Sequence, residues 1–242
     1  MTMTDLYVFG SIAVVLALMY YFGRKGLQSA HAQRQKRCST LGWHYDSAPN
    51  DNRLYEIRGD KDGVAWVLDS QPDFGPNKEP IQRRPTTTWV ARHNSAPEYS
   101  MVIASASFAR YLASPDAAIP SKMAAIFVTG LGHPLPSSHG AEQSYKTVAV
   151  GDATFKQKFG VLAREAAVAE KFVNGALQAV MNRWDLTPGR EYPSHRCLQV
   201  AISTNEVRVT FFDELRDMEH IECLATIGES VLHRVKQASS RV

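Results

Sequence analysis

The chain has 242 residues, 44% hydrophobic and 10% aromatic, with a formal net charge of +3. That is ample for one core of ordinary domain size, and it excludes the marked basic excess that a nucleic-acid-binding surface needs to neutralise phosphates. The positive charge is also local, because setting aside Asp5 and the five cations Arg24, Lys25, Arg34, Lys36 and Arg37 leaves a net −1 for everything beyond Arg37.

The first element is the uncharged run LYVFGSIAVVLALMYYF, Leu6 to Phe22. Seventeen helical residues rise roughly 26 Å, a little under the roughly 30 Å of a hydrocarbon core, and the tyrosines near both ends suit the interface. The run is expected to be a transmembrane helix, anchored by Leu6, Tyr7, Val8, Phe9, Ile12, Val14, Val15, Leu16, Leu18, Met19, Tyr20, Tyr21 and Phe22. A cleaved signal peptide would want a basic start, and MTMTD has none. The alternative, a buried helix of a soluble protein, would have to explain a run whose one polar side chain besides the tyrosines is Ser11.

Charge asymmetry sets the expected orientation. Arg24, Lys25, Arg34, Lys36 and Arg37 follow the run with no acid among them, and only Asp5 precedes it. The positive-inside rule then puts the N-terminus outside and about 220 residues in the cytoplasm. Three dispersed cysteines, Cys38, Cys197 and Cys223, suit a reducing compartment, and the lack of any N-x-S/T sequon agrees with that orientation. Three segments are expected: 1–23 with the span, 24–41 as a basic juxtamembrane helix or linker, and 42–242 as a cytoplasmic domain.

In the second segment Leu27, Ala30, Arg34, Cys38 and Leu41 fall three or four apart without a proline, so the helix is expected to continue. Its five cations either contact anionic headgroups, at about 1 kcal/mol each, or only fix the topology. Beyond Gly42-Trp43-His44-Tyr45, alternation at Tyr55 and Ile57, a turn at Gly59–Gly63, and alternation at Val64, Trp66 and Leu68 read as a β-hairpin. Ser70 to Pro85 is a proline-rich loop. Thr86–Arg92 and Tyr99–Ser105 read as strands of a second hairpin or meander, for a sum of four antiparallel strands. A short helix over 122–129, a loop over 130–140 and a strand over 144–150 follow.

Between Phe155 and Trp184 the period changes. Val168, Ala169, Phe172, Val173, Ala176, Leu177, Val180, Met181 and Trp184 form a stripe that predicts one long helix. Leu198, Val200 and Ile202, a turn at Ser203–Glu206, then Val207, Val209 and Phe211 predict a third hairpin. Met218 to Val235 closes the chain as an amphipathic helix behind Asp217. The order is that of an α+β fold: a largely antiparallel sheet with helices on one face, after the N-terminal transmembrane helix.

Chemistry is sparse. His133 and His139, with Ser137 and Ser138, form the only local cluster of possible ligands or nucleophile and base, in the loop GLGHPLPSSHG. Their spacing matches no standard zinc pattern, and the prolines and glycines already account for the loop. Asp73-Phe74-Gly75 spells a kinase tripeptide without the glycine-rich loop, the lysine strand or the HRD segment, and no GxGxxG, P-loop, GxSxG, HExxH or CxxC occurs. No catalytic residue, metal ligand or cofactor site is assigned. Trp43, Trp66, Trp89 and Trp184 either wall a ligand pocket or fill the core.

The motifs GWHY, GDKDGVAW, TTTW and FKQKFGVLAREAAVAEKFV resemble those of bacterial single-span membrane proteins of unknown function. The resemblance implies an anchored cytoplasmic α+β domain and carries over no activity, cofactor or catalytic residue. The expected role is therefore non-enzymatic: an accessory, scaffold or assembly subunit whose partners are the lipid bilayer and other integral-membrane or cytoplasmic subunits, and not nucleic acid. The alternatives are a membrane-tethered ligand or lipid sensor with an aromatic pocket, and an enzyme of unrecognised class centred on the 133–139 loop.

Overall fold

The computed structural model describes residues 3–47, 53–71, 85–94, 100–106, 146–163, 165–184 and 198–239. It opens with α1 (Met3–Thr40), a single helix of 38 residues that carries the apolar run into the basic segment, as the spacing of Leu27 to Leu41 predicts. The strands are β1 (His44–Asp46), β2 (Tyr55–Lys61), β3 (Val64–Gln71), β4 (Thr86–Arg92), β5 (Met101–Ser105), β6 (Lys146–Val148), β7 (Phe159–Ala163), β8 (Leu198–Ile202) and β9 (Glu206–Phe211). They form one sheet in the order β1-β2-β3-β4-β9-β8-β5-β7-β6, with every neighbouring pair antiparallel. The helices are α2 (Ala153–Lys158), α3 (Ala166–Phe172), α4 (Gly175–Asn182) and α5 (Met218–Ser239). The molecule is α+β with a large antiparallel sheet.

The register shows why these strands belong together. Tyr45, Ile57, Leu68, Trp89, Val209, Val200, Ile103, Val161 and Val148 face one another in turn across all nine strands, and each is buried. A slip of one residue in any strand would turn its member of that row to the other face, so burial of the row fixes the pairing. On this face α5 covers β4 and β9 with Ile221, Leu224, Ala225 and Gly228, and α4 packs on α5.

The opposite face carries a polar row. Glu56 and Asp69 are buried and paired across β2 and β3, and Thr210 and Gln199 are buried and paired across β9 and β8. Arg53 forms ion pairs with both Glu56 and Asp69, 3.3 Å from the latter, and Arg58 adds a second pair to Glu56. Two guanidinium groups thus compensate carboxylates that burial alone would penalise.

Several expectations need correcting. Thr86–Arg92 and Tyr99–Ser105 do not form a hairpin or meander, because the β8-β9 hairpin inserts between β4 and β5 and pairs with both. A turn signal shows where a chain reverses, not which strand lies beside which. The seven strands expected in all, four of them before residue 106, become nine, with β1 and β7 also strands. Gly59 is not part of a turn but sits inside β2 opposite Trp66, where a Cβ would collide with the indole ring. The turn is Asp62-Gly63, with φ of 54° and 75°, the doubly positive pattern of a two-residue hairpin loop.

The single helix expected before Trp184 is three short helices and a strand. FGVLA forms β7, buried at every position but Gly160, and Asn174 separates α3 from α4 by accepting a hydrogen bond from the Leu177 N–H at 3.1 Å. Such a cap needs non-helical backbone, so the stripe from Val168 to Trp184 is shared by two helices with a corner between them. The expected helix over 122–129 and the loop holding His133 and His139 lie outside the described residues, as does Cys197.

Candidate functional site

The feature that the folded domain leaves unaccounted for is α1. Its last turns pack on the domain along one stripe: Arg34 and Cys38 are buried, Ala30 and His31 are half-buried, and Ser29, Ala32, Gln33, Gln35, Lys36 and Arg37 are exposed. This is the stripe expected from Ala30, Arg34 and Cys38, with Leu41 left largely exposed at 36%.

Arg34 is the centre of the joint. Its Nε and Nη2 donate to the Arg216 carbonyl at 3.1 and 2.8 Å, and its guanidinium lies 5.0 Å from the centroid of the Tyr55 ring. The Tyr55 hydroxyl in turn donates to the Leu215 carbonyl at 2.7 Å, and Thr87 Oγ1 donates to the Asp213 carbonyl and accepts from the Leu215 N–H. The segment between β9 and α5 is thus held from the sheet by Tyr55 and Thr87 and from α1 by Arg34. Arg37 adds a bidentate pair to Glu222 of α5, at 2.6 and 2.8 Å, on the outer edge of the contact.

His31 Nδ1 lies 2.5 Å from the Tyr45 hydroxyl, and Tyr45 stacks on Tyr55 with centroids 6.3 Å apart. Burial, with the Arg34 cation second, holds the His31 imidazole below its ordinary value, while Glu214 pulls the other way. Burial pushes the Tyr45 and Tyr55 hydroxyls up and the Cys38 thiol up to about 11. Imidazole, phenols and thiol gathered around one buried guanidinium make a structural clamp between helix and domain.

Further out the helix changes character. Val15 is 53% exposed, Leu18 50%, Met19 67%, Tyr20 70% and Tyr21 53%. At 100° per residue these five positions point to every side of the helix, so no single packed face would cover them. Of the expected anchor residues these are the ones whose side chains are described, and among the described residues no helix is long and apolar enough to cross a membrane. Lys25 is exposed with its Nζ 5.2 Å from the centroid of the Tyr21 ring.

The five cations, expected either to contact headgroups or only to fix the topology, differ in their surroundings. Arg34 and Arg37 bond to the domain, Lys25 and Lys36 are exposed, and the Arg24 side chain lies outside the described set. The clamp partners Tyr45, Tyr55, Arg216 and Glu222 carry no motif, but the position of Arg34 within an apolar stripe was a readable sign that its guanidinium turns inward.

The tryptophans fill the core. Trp66, Trp89 and Trp184 are buried, Trp43 packs edge-on to Trp66 at 5.1 Å, and Trp66 lies 5.9 Å from Trp89. A pocket of about 240 Å³ lies between α4 and α5, lined by Val180, Arg183, Glu219, His220, Glu222, Cys223 and Thr226, and by no tryptophan. Among the described residues no group of three His, Cys, Asp or Glu side chains could hold a metal ion.

No family model and no curated protein matches the chain. Among solved structures, it is similar to the crystal structure of the mycobacterial trehalose monomycolate transport factor A, TtfA, at 11% identity and a TM-score of 0.42, over 85% of this chain and 96% of that one. At that score the likeness carries no argument.

Proposed function

We propose that the chain is a single-pass membrane protein, with Leu6–Phe22 of α1 in the bilayer, the N-terminus outside, and a cytoplasmic α+β domain that serves as an accessory, scaffold or assembly subunit of a membrane protein complex. The observation that carries this reading is the all-round exposure of the large side chains of Val15, Leu18, Met19, Tyr20 and Tyr21, on a helix whose other end is clamped to a domain with a closed core of its own. Water would penalise such a surface at roughly 25 cal/mol per Å², and lipid would not. The cation-rich segment that follows supports the stated orientation.

The accessory role is read from the joint, where Arg34 and Arg37 fasten the helix to the domain and so couple the anchor to a folded body. Fractionation of cells expressing the intact chain tests the anchor: it should remain with membranes through alkaline carbonate and leave them only in detergent. External protease should spare the domain in intact cells. Recovery from the supernatant, or digestion of the domain from outside, would remove the reading. Affinity capture of the detergent-solubilised chain tests the subunit role, which a pure monomer would contradict.

A further inference from the structure

Continuity of α1 from the apolar run into the clamp has a geometric consequence for the bilayer. Arg34 lies twelve residues beyond Phe22 along one helix, about 18 Å at 1.5 Å per residue, and Lys36 and Arg37 lie further still. That exceeds the Debye length of about 8 Å at physiological ionic strength. The near cation Lys25 behaves differently, since it is exposed and reaches back to the Tyr21 ring, an arrangement suited to the interface between acyl chains and water.

We infer that this protein binds the phosphates of anionic lipid headgroups at a collar made by Arg24 and Lys25 alone, while α1 acts as a stiff stalk whose first contact with the domain, at Ala30, comes about 12 Å beyond Phe22, with Arg34 and Arg37 engaged by the domain rather than by lipid. The inference rests on the membrane reading above and narrows it. Arg34 is closed to lipid by its burial and its two bonds to the Arg216 carbonyl, and Arg37 by its bidentate pair with Glu222. Lys36 is exposed, but its distance along the helix leaves it screened. The domain beyond Arg37 carries a net −1, so it offers an anionic surface no attraction of its own.

The test uses the full chain in nanodiscs of mixed phosphatidylcholine and phosphatidylglycerol, with the lipids retained on the released protein counted by native mass spectrometry. The wild-type chain should retain phosphatidylglycerol preferentially, and R24Q with K25Q should lower that preference by about fivefold per charge removed. R37Q and K36Q should leave it unchanged. An equal loss in R37Q or K36Q, or no preference in the wild-type chain, would overturn the collar. Neutron reflectometry of the same protein in a supported bilayer reads the stalk: domain density beginning about 12 Å beyond the edge of the hydrocarbon layer is expected, and domain density within the headgroup layer would overturn it. If the chain washes off the bilayer in alkaline carbonate, the membrane reading itself fails, a result distinct from either outcome.

Discussion

The indole of Trp89, in the middle of β4, lies so close to Gly228 of α5 that a Cβ at 228 would overlap the ring. Trp89 is fully buried, with Trp66 beside it and Val209 opposite in the register, so the ring has no free volume into which to move. Glycine inside a helix costs about 1 kcal/mol relative to alanine, and here that cost secures close approach of helix and sheet. G228A should therefore destabilise the domain on balance, by about 1–2 kcal/mol, since overpacking a filled core outweighs the gain in helix propensity. A lower urea midpoint in detergent checks this, and W89F should offset part of the loss in the double variant. An additive pair would show that the two residues do not oppose each other.

The contact also marks what could and could not be read from the sequence. The alternation of Thr87, Trp89 and Ala91 announces a strand, and the spacing of Ile221, Ala225, Gly228 and Leu232 announces a helix. Neither announces that Trp89 meets Gly228, because helix and sheet patterns record which face is buried and not what lies upon it. The same limit explains the misassigned β4-β5 hairpin, where local turn chemistry was legible and the insertion of β8-β9 was not. Asn174-Gly175 was a readable break within a convincing apolar stripe, and periodicity masked it. In the joint, Arg34 was legible as an inward-facing position, whereas Tyr45, Tyr55 and Glu222 become its surroundings only through tertiary packing.

Removing the Arg34 guanidinium should loosen the joint without unfolding the sheet. R34M keeps much of the aliphatic stem but leaves the Arg216 carbonyl without its two N–H partners and the Tyr55 ring without its cation. Bonds from a charged donor contribute about 1.5–3 kcal/mol, and that loss should fall on the joint. Hydrogen exchange should accelerate in residues 30–40 and 213–217, while Val209, Val200 and Ile103 keep wild-type protection. Arg34→Lys should behave nearly as poorly, because one ammonium cannot reproduce the paired N–H donation together with ring stacking.

Lowering the pH should act on the same joint through His31. Its imidazole is held below 6.5 chiefly by burial and then by Arg34, while Glu214 opposes the shift and the Tyr45 hydroxyl stays neutral. The docked helix therefore prefers the neutral ring. Its contribution is complete above 6.5 and is progressively lost as pH falls from 6.5 through the lower docked value, since the free helix binds the proton more readily. Exchange at residues 30–40 should rise between neutral and mildly acidic pH, and H31Q should flatten that rise. His93, which burial also holds below its ordinary value, contributes the same sign to the stability of the whole domain. For that reason the local readout discriminates where a melting temperature would not.

Cys38 offers a chemical report on whether α1 is docked. Burial raises its thiol to about 11, so at pH 8 roughly one molecule in a thousand carries the reactive thiolate, and the side chain has no solvent exposure. Cys223 is half-buried at the α4-α5 pocket and should alkylate before Cys38 in the native chain. Mass spectrometry after brief maleimide treatment should find Cys38 unmodified in the wild-type protein and modified in R34M, with α1 released and the domain still folded. Because the reagent must reach a thiol that Arg34 and its bonded segment help to enclose, labelling of Cys38 should track exchange at residues 30–40 across the Arg34 and His31 variants. Rapid labelling of Cys38 in the native wild-type chain would mean that the helix leaves the domain readily, and the stalk would then be a hinge.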